Sequence, residues 1–174
     1  LGIPDGALAN LATRCGSEAC SRIVIDRILF PICEELDLRV AVEEWTSAGA
    51  KHEEGAGGRC DYVVRNSRGA VLAIIEANKC HCELQGIAEV FHEGVVKCVG
   101  TYLPIYVHKA CNSGGAESFP KITCVVTDGL HWLFMSIARG VTQGQGSIVF
   151  HPVVKAADHE QLALLLGLLY SHWC

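Results

Sequence analysis

Arg59-Cys-Asp-Tyr-Val-Val64 and Ala70-Val-Leu-Ala-Ile-Ile-Glu-Ala-Asn-Lys79, joined through the turn-forming residues Asn66–Gly69, decide how this chain is read. The first stretch reads as a strand that opens on a carboxylate, Asp61. In the second, Ala70–Ala77 reads as a strand whose residues 70–75 are apolar on both faces, the mark of a central strand covered from two sides. It closes on Glu76, and a charge at the end of such a strand is costly to bury without a partner. Pairing the two strands as a hairpin brings Asp61 and Glu76 to one end of a sheet. Paired carboxylates with a neighbouring cation suit Mg²⁺ or Mn²⁺, ions that take oxygen ligands. A metal held there can activate water and offset charge on a phosphodiester.

Working outward, a helix is expected from about Ser17 to Leu36, with Ser17 as N-cap and Cys20, Val24, Ile28 and Cys33 near helical spacing. Pro31 is expected to kink or interrupt it. Leu38–Thr46 alternates as a strand, and Ala48–Gly58, rich in glycine, reads as a loop. Glu83–Cys98 carries Leu84, Ile87, Ala88, Phe91 and Val95 on one helical stripe. Leu103–His108 and Lys121–Val126 read as strands, Asp128-Gly129 as a hairpin turn, and Trp132–Ile137 as the returning strand. A loop at Gly140–Gly146, a strand at Ser147–Val154 and a helix from Asp158 or His159 to Trp173 complete the chain. The pattern predicts a single α/β domain over residues 1–174, a mixed sheet flanked by helices.

Composition narrows the function classes. The 174 residues are 50% hydrophobic and 19% charged, which excludes a disordered tail or a coiled coil. The net charge of −5 argues against a polybasic coat that grips nucleic acid without selection, while leaving room for a local basic groove. The longest apolar run, near Leu162–Tyr170, is too short to span a bilayer, so no membrane partner is expected. Leu1 opens no signal peptide, and the chain reads as a mature or excised domain. The terminal helix is apolar around most of its circumference and is expected to pack on the sheet or to form a homodimer seam. No P-loop, Gly-x-Gly-x-x-Gly or Gly-x-Ser-x-Gly occurs.

The order of Asp61 and, one hairpin later, Glu76 resembles the PD-(D/E)xK nuclease superfamily, whose restriction-endonuclease-like core runs αβββαβ. Glu18, in the first turn of the first helix, matches a helix glutamate that many members carry. Gln85 matches a glutamine that often follows the motif. Val125-Val-Thr-Asp-Gly-Leu-His-Trp-Leu-Phe134 is similar to a hairpin in a branch that includes the carboxy-terminal domains of crinkler effectors. The resemblance covers roughly Glu18 to Ile137. Two positions depart from it: Cys60 stands where a proline usually precedes the Asp, and residue 78, where the motif lysine belongs, is Asn78, with Lys79 one step on. On a regular strand Asn78 shares the face of Glu76 and Lys79 points away, unless a bulge returns it.

The resemblance implies a metal-dependent endonuclease that hydrolyses phosphodiester bonds of DNA, with RNA as a further possible substrate. In it Asp61, Glu76 and the Ala77 carbonyl would hold Mg²⁺ or Mn²⁺. Lys79, or Asn78 in its place, would position the attacking water. Glu18 would hold a second metal or its waters, and Gln85 would orient Lys79 or a phosphate. The crinkler likeness implies a secreted effector delivered into a host cell, commonly its nucleus. The displaced lysine and the acidic charge support an alternative, an inactive nuclease-fold domain that binds a host protein or nucleic acid.

Rival constellations are weaker. Cys80-His-Cys82 with His92 and Cys98 offers soft-metal ligands but lacks zinc-finger spacing. Lys51-His-Glu-Glu54 reads as a charged loop tip, or as a lid placing His52 near the metal. Of Glu43 and Glu44, one must turn toward the core side, where Glu44 would be a further acid for the site; the preferred reading puts both at the wet end of the sheet. The ten cysteines, several of them (Cys20, Cys33, Cys98, Cys124) inside helical or strand patterns, read as mostly reduced, buried hydrophobes of a reducing, cytosolic or nuclear compartment. Thiol titration of the unfolded, unreduced protein should therefore find most cysteines free; four or more bridged pairs would overturn that assignment.

Overall fold

A computed structural model of the chain describes residues 10, 17–47, 57–79, 92, 94–98, 122–139, 146–156, 164 and 167. One helix, α1 (Glu18–Glu35), precedes strands β1 (Arg39–Ser47), β2 (Gly57–Arg65), β3 (Val71–Ala77), β4 (Thr123–Thr127), β5 (His131–Arg139), β6 (Gly146–Phe150) and β7 (Val154–Lys155). They form one sheet in the order β1-β2-β3-β4-β5-β6, with β7 also paired to β5. The β3–β4 pair is parallel and every other pair is antiparallel. The fold is α/β with a mixed sheet. The expected strand Leu103–His108, the loop tip 51–54, residues 80–85 and most of the helices at 83–98 and 159–173 lie outside the described residues; residues 92, 94–97, 164 and 167 are helical.

α1 begins where the sequence places it. Ser17 is extended, its side chain accepts from the Cys20 N–H at 3.3 Å, and Glu18 occupies the positive first turn. Val24, Ile25, Ile28, Leu29 and Ile32 recur on one face and are buried against the sheet. The expected break at Pro31 does not occur; α1 runs on to Glu35. Buried Leu29, Ile32 and Cys33 on either side of Pro31 hold both halves against the core, so tertiary packing offsets the missing backbone donor. The helix ends with Asp37 in the left-handed region (φ 52°) while the Leu38 N–H donates to the Cys33 carbonyl at 2.8 Å.

β3 is the central strand that its apolar run implies, flanked by β2 and β4 with Ala73–Ala77 buried. One face of the sheet, with Tyr62, Val64, Ala73, Ile75, Val125, Trp132 and Phe134, packs on α1. The opposite face, with Val63, Ile74, Cys124, Val126 and Met135, is covered by Val95 and Cys98 of the helical segment 94–98. Parallel neighbours need a crossover, and that segment lies between β3 and β4 in the chain. The strand expected over Ser147–Val154 is divided into β6 and β7. His151 still donates its N–H to Phe134 at 3.0 Å, but Pro152 has no N–H to continue the ladder.

The β4–β5 turn is a self-contained hydrogen-bonded unit. Asp128 Oδ1 accepts from the N–H groups of Leu130 (2.9 Å) and His131 (2.7 Å), and its Oδ2 lies 3.1 Å from His131 Nδ1. Thr127 Oγ1 accepts from the Gly129 N–H at 2.9 Å, and buried Trp132 donates its indole N–H to the Gly129 carbonyl at 3.1 Å. Burial alone would raise the Asp128 carboxyl, but its hydrogen bonds from His131 and Leu130 prevail and lower it. The Thr-Asp-Gly sequence is thus explained as a turn that docks on α1. Gly129 has φ +90°, and a Cβ there would sit 2.9 Å from Val24 Cβ. Gly129→Ala should cost about 2–4 kcal/mol from the left-handed backbone and the clash together, read as a lower denaturant midpoint at unchanged slope; a shift within 0.5 kcal/mol, on the order of an ordinary surface change, would refute this account of the turn.

Candidate functional site

The β2–β3 ladder ends at Tyr62 and Ile75. Asp61 and Glu76 are the next residues outward on each strand, where the strands part. Asp61 Oδ2 accepts the Ala77 N–H at 2.8 Å, so a side chain takes the acceptor role that a backbone carbonyl plays elsewhere in the ladder. Asp61 is 8% exposed and Glu76 3%. The hairpin therefore buries both acids at the strand ends, and Asp61 is not the solvated carboxylate that a strand start would often carry.

Each acid meets a different cation. Arg22, on the first turns of α1, ion-pairs with Asp61 Oδ1. The same guanidinium reaches Glu18 at 3.2 Å and Glu43 at 3.0 Å. Glu43 also pairs with Arg59 at 3.2 Å. Glu43 adopts a left-handed backbone (φ 55°), unusual for a residue with a side chain, and its two ion pairs help to hold that conformation. Glu76 Oε1 accepts from Lys97 Nζ at 2.8 Å. Glu76 Oε2 is buried and has no hydrogen-bond partner among the described residues.

Lys97 reaches Glu76 because its helix lies close on the sheet. A Cβ on Gly94 would stand 2.5 Å from Val126 Cγ1 and 2.8 Å from Asn78 Nδ2, so only glycine allows this approach. One turn later, Lys97 falls over the end of β3. Asn78 extends the β3–β4 pairing by donating its N–H to Thr127 at 2.8 Å, and its side chain lies at the Gly94 contact. Lys79 is exposed, and no hydrogen bond or ion pair joins it to Asp61 or Glu76. The ammonium at the acids belongs to Lys97, a residue that sequence reasoning missed. Glu18 lies in the Arg22 network, and Gln85 is outside the described residues. Of the Glu43-Glu44 pair, Glu43 joins the network at Asp61, whereas Glu44 pairs with Arg65.

Burial pushes Glu76 up from its ordinary 4.5 to about 7; the Lys97 hydrogen bond opposes this and the charge of Asp61 adds to it. Asp61 is also raised by burial, against the pull of the Ala77 N–H and Arg22. Burial, with Glu76, Glu44 and Asp61 nearby, pushes the Cys60 thiol up to about 12, which keeps it from acting as a thiolate nucleophile near neutrality. Among the described residues Cys20, Cys33, Cys60, Cys98 and Cys124 form no disulfide, and all but Cys20 are buried. Of the suggested soft-metal set, His92 is exposed and Cys98 is buried, while Cys80 to Cys82 lie outside the described residues.

The donor set suits a hard divalent ion. It consists of oxygens, and Glu76 Oε2, without a hydrogen-bond partner among the described residues, is a buried acceptor that a cation would satisfy. Among the described residues no three His, Cys, Asp or Glu side chains gather as a metal-holding group. An ion here would rest on Asp61, Glu76, the Ala77 carbonyl and water. No helix among the described residues is long and apolar enough to cross a membrane. Comparison with protein families, with curated proteins and with solved structures finds no match to the chain.

The raised Glu76 value has a definite sign in stability. Between pH 4.5 and about 7 the native protein binds more protons than the unfolded chain, so this residue's contribution is fully present below 4.5 and is lost as pH rises through 7. In metal-free buffer Glu76→Gln should match the parent near pH 4.5 and exceed it by about 1–3 kcal/mol above pH 8. Equal pH profiles in chemical denaturation would show that Glu76 is not strained in its ionised form.

Proposed function

We propose that this chain is a Mg²⁺- or Mn²⁺-dependent nuclease of the PD-(D/E)xK kind, acting on phosphodiester bonds of DNA. The observation that carries the reading is the pairing of two buried acids at the parting ends of β2 and β3 with an ammonium placed on Glu76. The chain order α1-β1-β2-β3, helical segment, β4 agrees with the core order that this resemblance implies.

When bound, a divalent ion there supplies Lewis acidity and lowers the pKa of a coordinated water. Asp61 and Glu76 provide the carboxylates for it. In this reading Lys97, whose ammonium donates to Glu76, would orient the attacking water and would offset charge on the transition state. The Ala77 N–H fixes Asp61 in orientation, so the acid is preorganised. Effector delivery and a host nucleus as the place of action rest on the crinkler likeness of the Val125–Phe134 stretch.

A second reading, an inactive nuclease-fold domain that binds a host protein or nucleic acid, is favoured by Arg22 resting on Asp61. Plasmid digestion with Mg²⁺ or Mn²⁺, against an EDTA control, separates the two. Asp61→Asn and Glu76→Gln should each abolish metal-dependent cleavage. Lys97→Met should slow it by about 10²–10³-fold, the loss usual for one transition-state donor, while Lys79→Met stays within about threefold, under 1 kcal/mol. Cleavage lost in Lys79→Met and kept in Lys97→Met would return the lysine role to Lys79. No cleavage by the parent under any metal would favour the binding domain.

A further inference from the structure

Both oxygens of Asp61 are already engaged. Oδ2 takes the Ala77 N–H, and Oδ1 takes the Arg22 guanidinium. A divalent ion that uses Asp61 must weaken one of these contacts. The Ala77 N–H belongs to the backbone of the central strand and has nowhere to go. Arg22 is a long side chain with two other carboxylates already in reach, Glu18 at 3.2 Å and Glu43 at 3.0 Å. Glu43 is further anchored by Arg59 at 3.2 Å.

We propose that Arg22 is a built-in counter-cation that competes with the divalent ion for Asp61 and withdraws onto Glu18 and Glu43 when the ion binds. This rests on the metal-site reading above and adds a regulatory role for a residue that reading leaves unused. In the metal-free protein the guanidinium offsets the charge on Asp61 that burial makes costly. On loading, the ion takes over that task, and Glu18 and Glu43 keep the displaced guanidinium at the rim, with Nε already buried and without an acceptor among the described residues. Arg22 thereby sets the metal concentration at which the site fills. It is a positioning residue in this scheme, with no contact to the reacting atoms.

The test is Mn²⁺ binding followed by electron paramagnetic resonance of the free ion, without substrate. Arg22→Met should bind Mn²⁺ about tenfold more tightly than the parent, and should melt at lower temperature in EDTA yet gain more from added Mn²⁺. Arg59→Met removes an equal charge that touches Glu43 but is not paired with Asp61, and should change Mn²⁺ affinity by less than threefold. Equal tightening in both variants would reduce Arg22 to a general field effect and overturn the inference. Unchanged or weaker binding in a folded Arg22→Met protein would also overturn it, leaving the metal site in place. If neither the parent nor Arg22→Met binds Mn²⁺, the metal reading itself fails. Binding by Arg22→Met alone would support the competition in its strongest form. Should Arg22→Met fail to fold, the parent labelled with ¹⁵N-arginine provides a second readout: the Arg22 side-chain signal should move in step with Mg²⁺ saturation, and a signal unmoved at saturation would refute displacement.

Discussion

A backbone N–H at the end of the central strand is satisfied by a carboxylate instead of a carbonyl. The Ala77–Asp61 hydrogen bond sits where β2 and β3 cease to pair, and the rest of the site follows from it. A buried donor without an acceptor would cost a few kcal/mol, so the parting of the strands requires an acceptor of this length and position. The residue that supplies it is thereby fixed and buried, and its burial raises the pKa against the pull of this same hydrogen bond. Glu76, one residue before Ala77, is drawn into the same low-dielectric end of the sheet and needs its own cation. The acids are thus held by the sheet's hydrogen-bond accounting, and the cations come from the layers on either side.

Those layers contribute unequally. α1 brings Arg22 within reach of three carboxylates, Glu18, Glu43 and Asp61, and Arg59 pairs with Glu43 as well, so the acids outnumber the cations in this cluster. The helical segment 94–98 brings the Lys97 ammonium to Glu76 and is seated by the absence of one methyl group at Gly94. An excess of acid over base at a buried strand end is destabilising by itself. It persists beside a well-packed core, with Glu76 Oε2 buried and lacking a hydrogen-bond partner among the described residues, and the proposed metal site rests on it.

Much of this was legible in the sequence, and the misses have physical causes. Asp61 and Glu76 were visible because a hairpin is a local structure and its register is readable from turn residues and apolar runs. Ser17 was visible because an N-cap is chemistry over three residues. Lys97 was not, because its meeting with Glu76 depends on where a crossover helix lands, and nothing at residues 76–79 announces it; the small residue one turn earlier, Gly94, was the available signal. Arg22 had a signal too, the i, i+4 spacing from Glu18, but on an exposed helix such a pair usually means little. That Glu43 and not Glu44 joins the network at Asp61 is not readable from strict alternation, which fails at a left-handed residue. The helix continues through Pro31 because propensity is a weak prior once both flanks are buried.

The provenance of the cation also bears on how the molecule comes apart. Asp61 and Glu76 belong to one hairpin of short loop length, whereas Lys97 sits within the long excursion that closes the parallel β3–β4 pair. Joining residues far apart in sequence carries a larger loop-closure entropy than closing a short hairpin. The Lys97–Glu76 contact is therefore of longer range than the Asp61–Ala77 contact inside the hairpin. Its loss would leave both acids standing in the sheet, Asp61 still held by Ala77 and Arg22 and Glu76 without that ammonium.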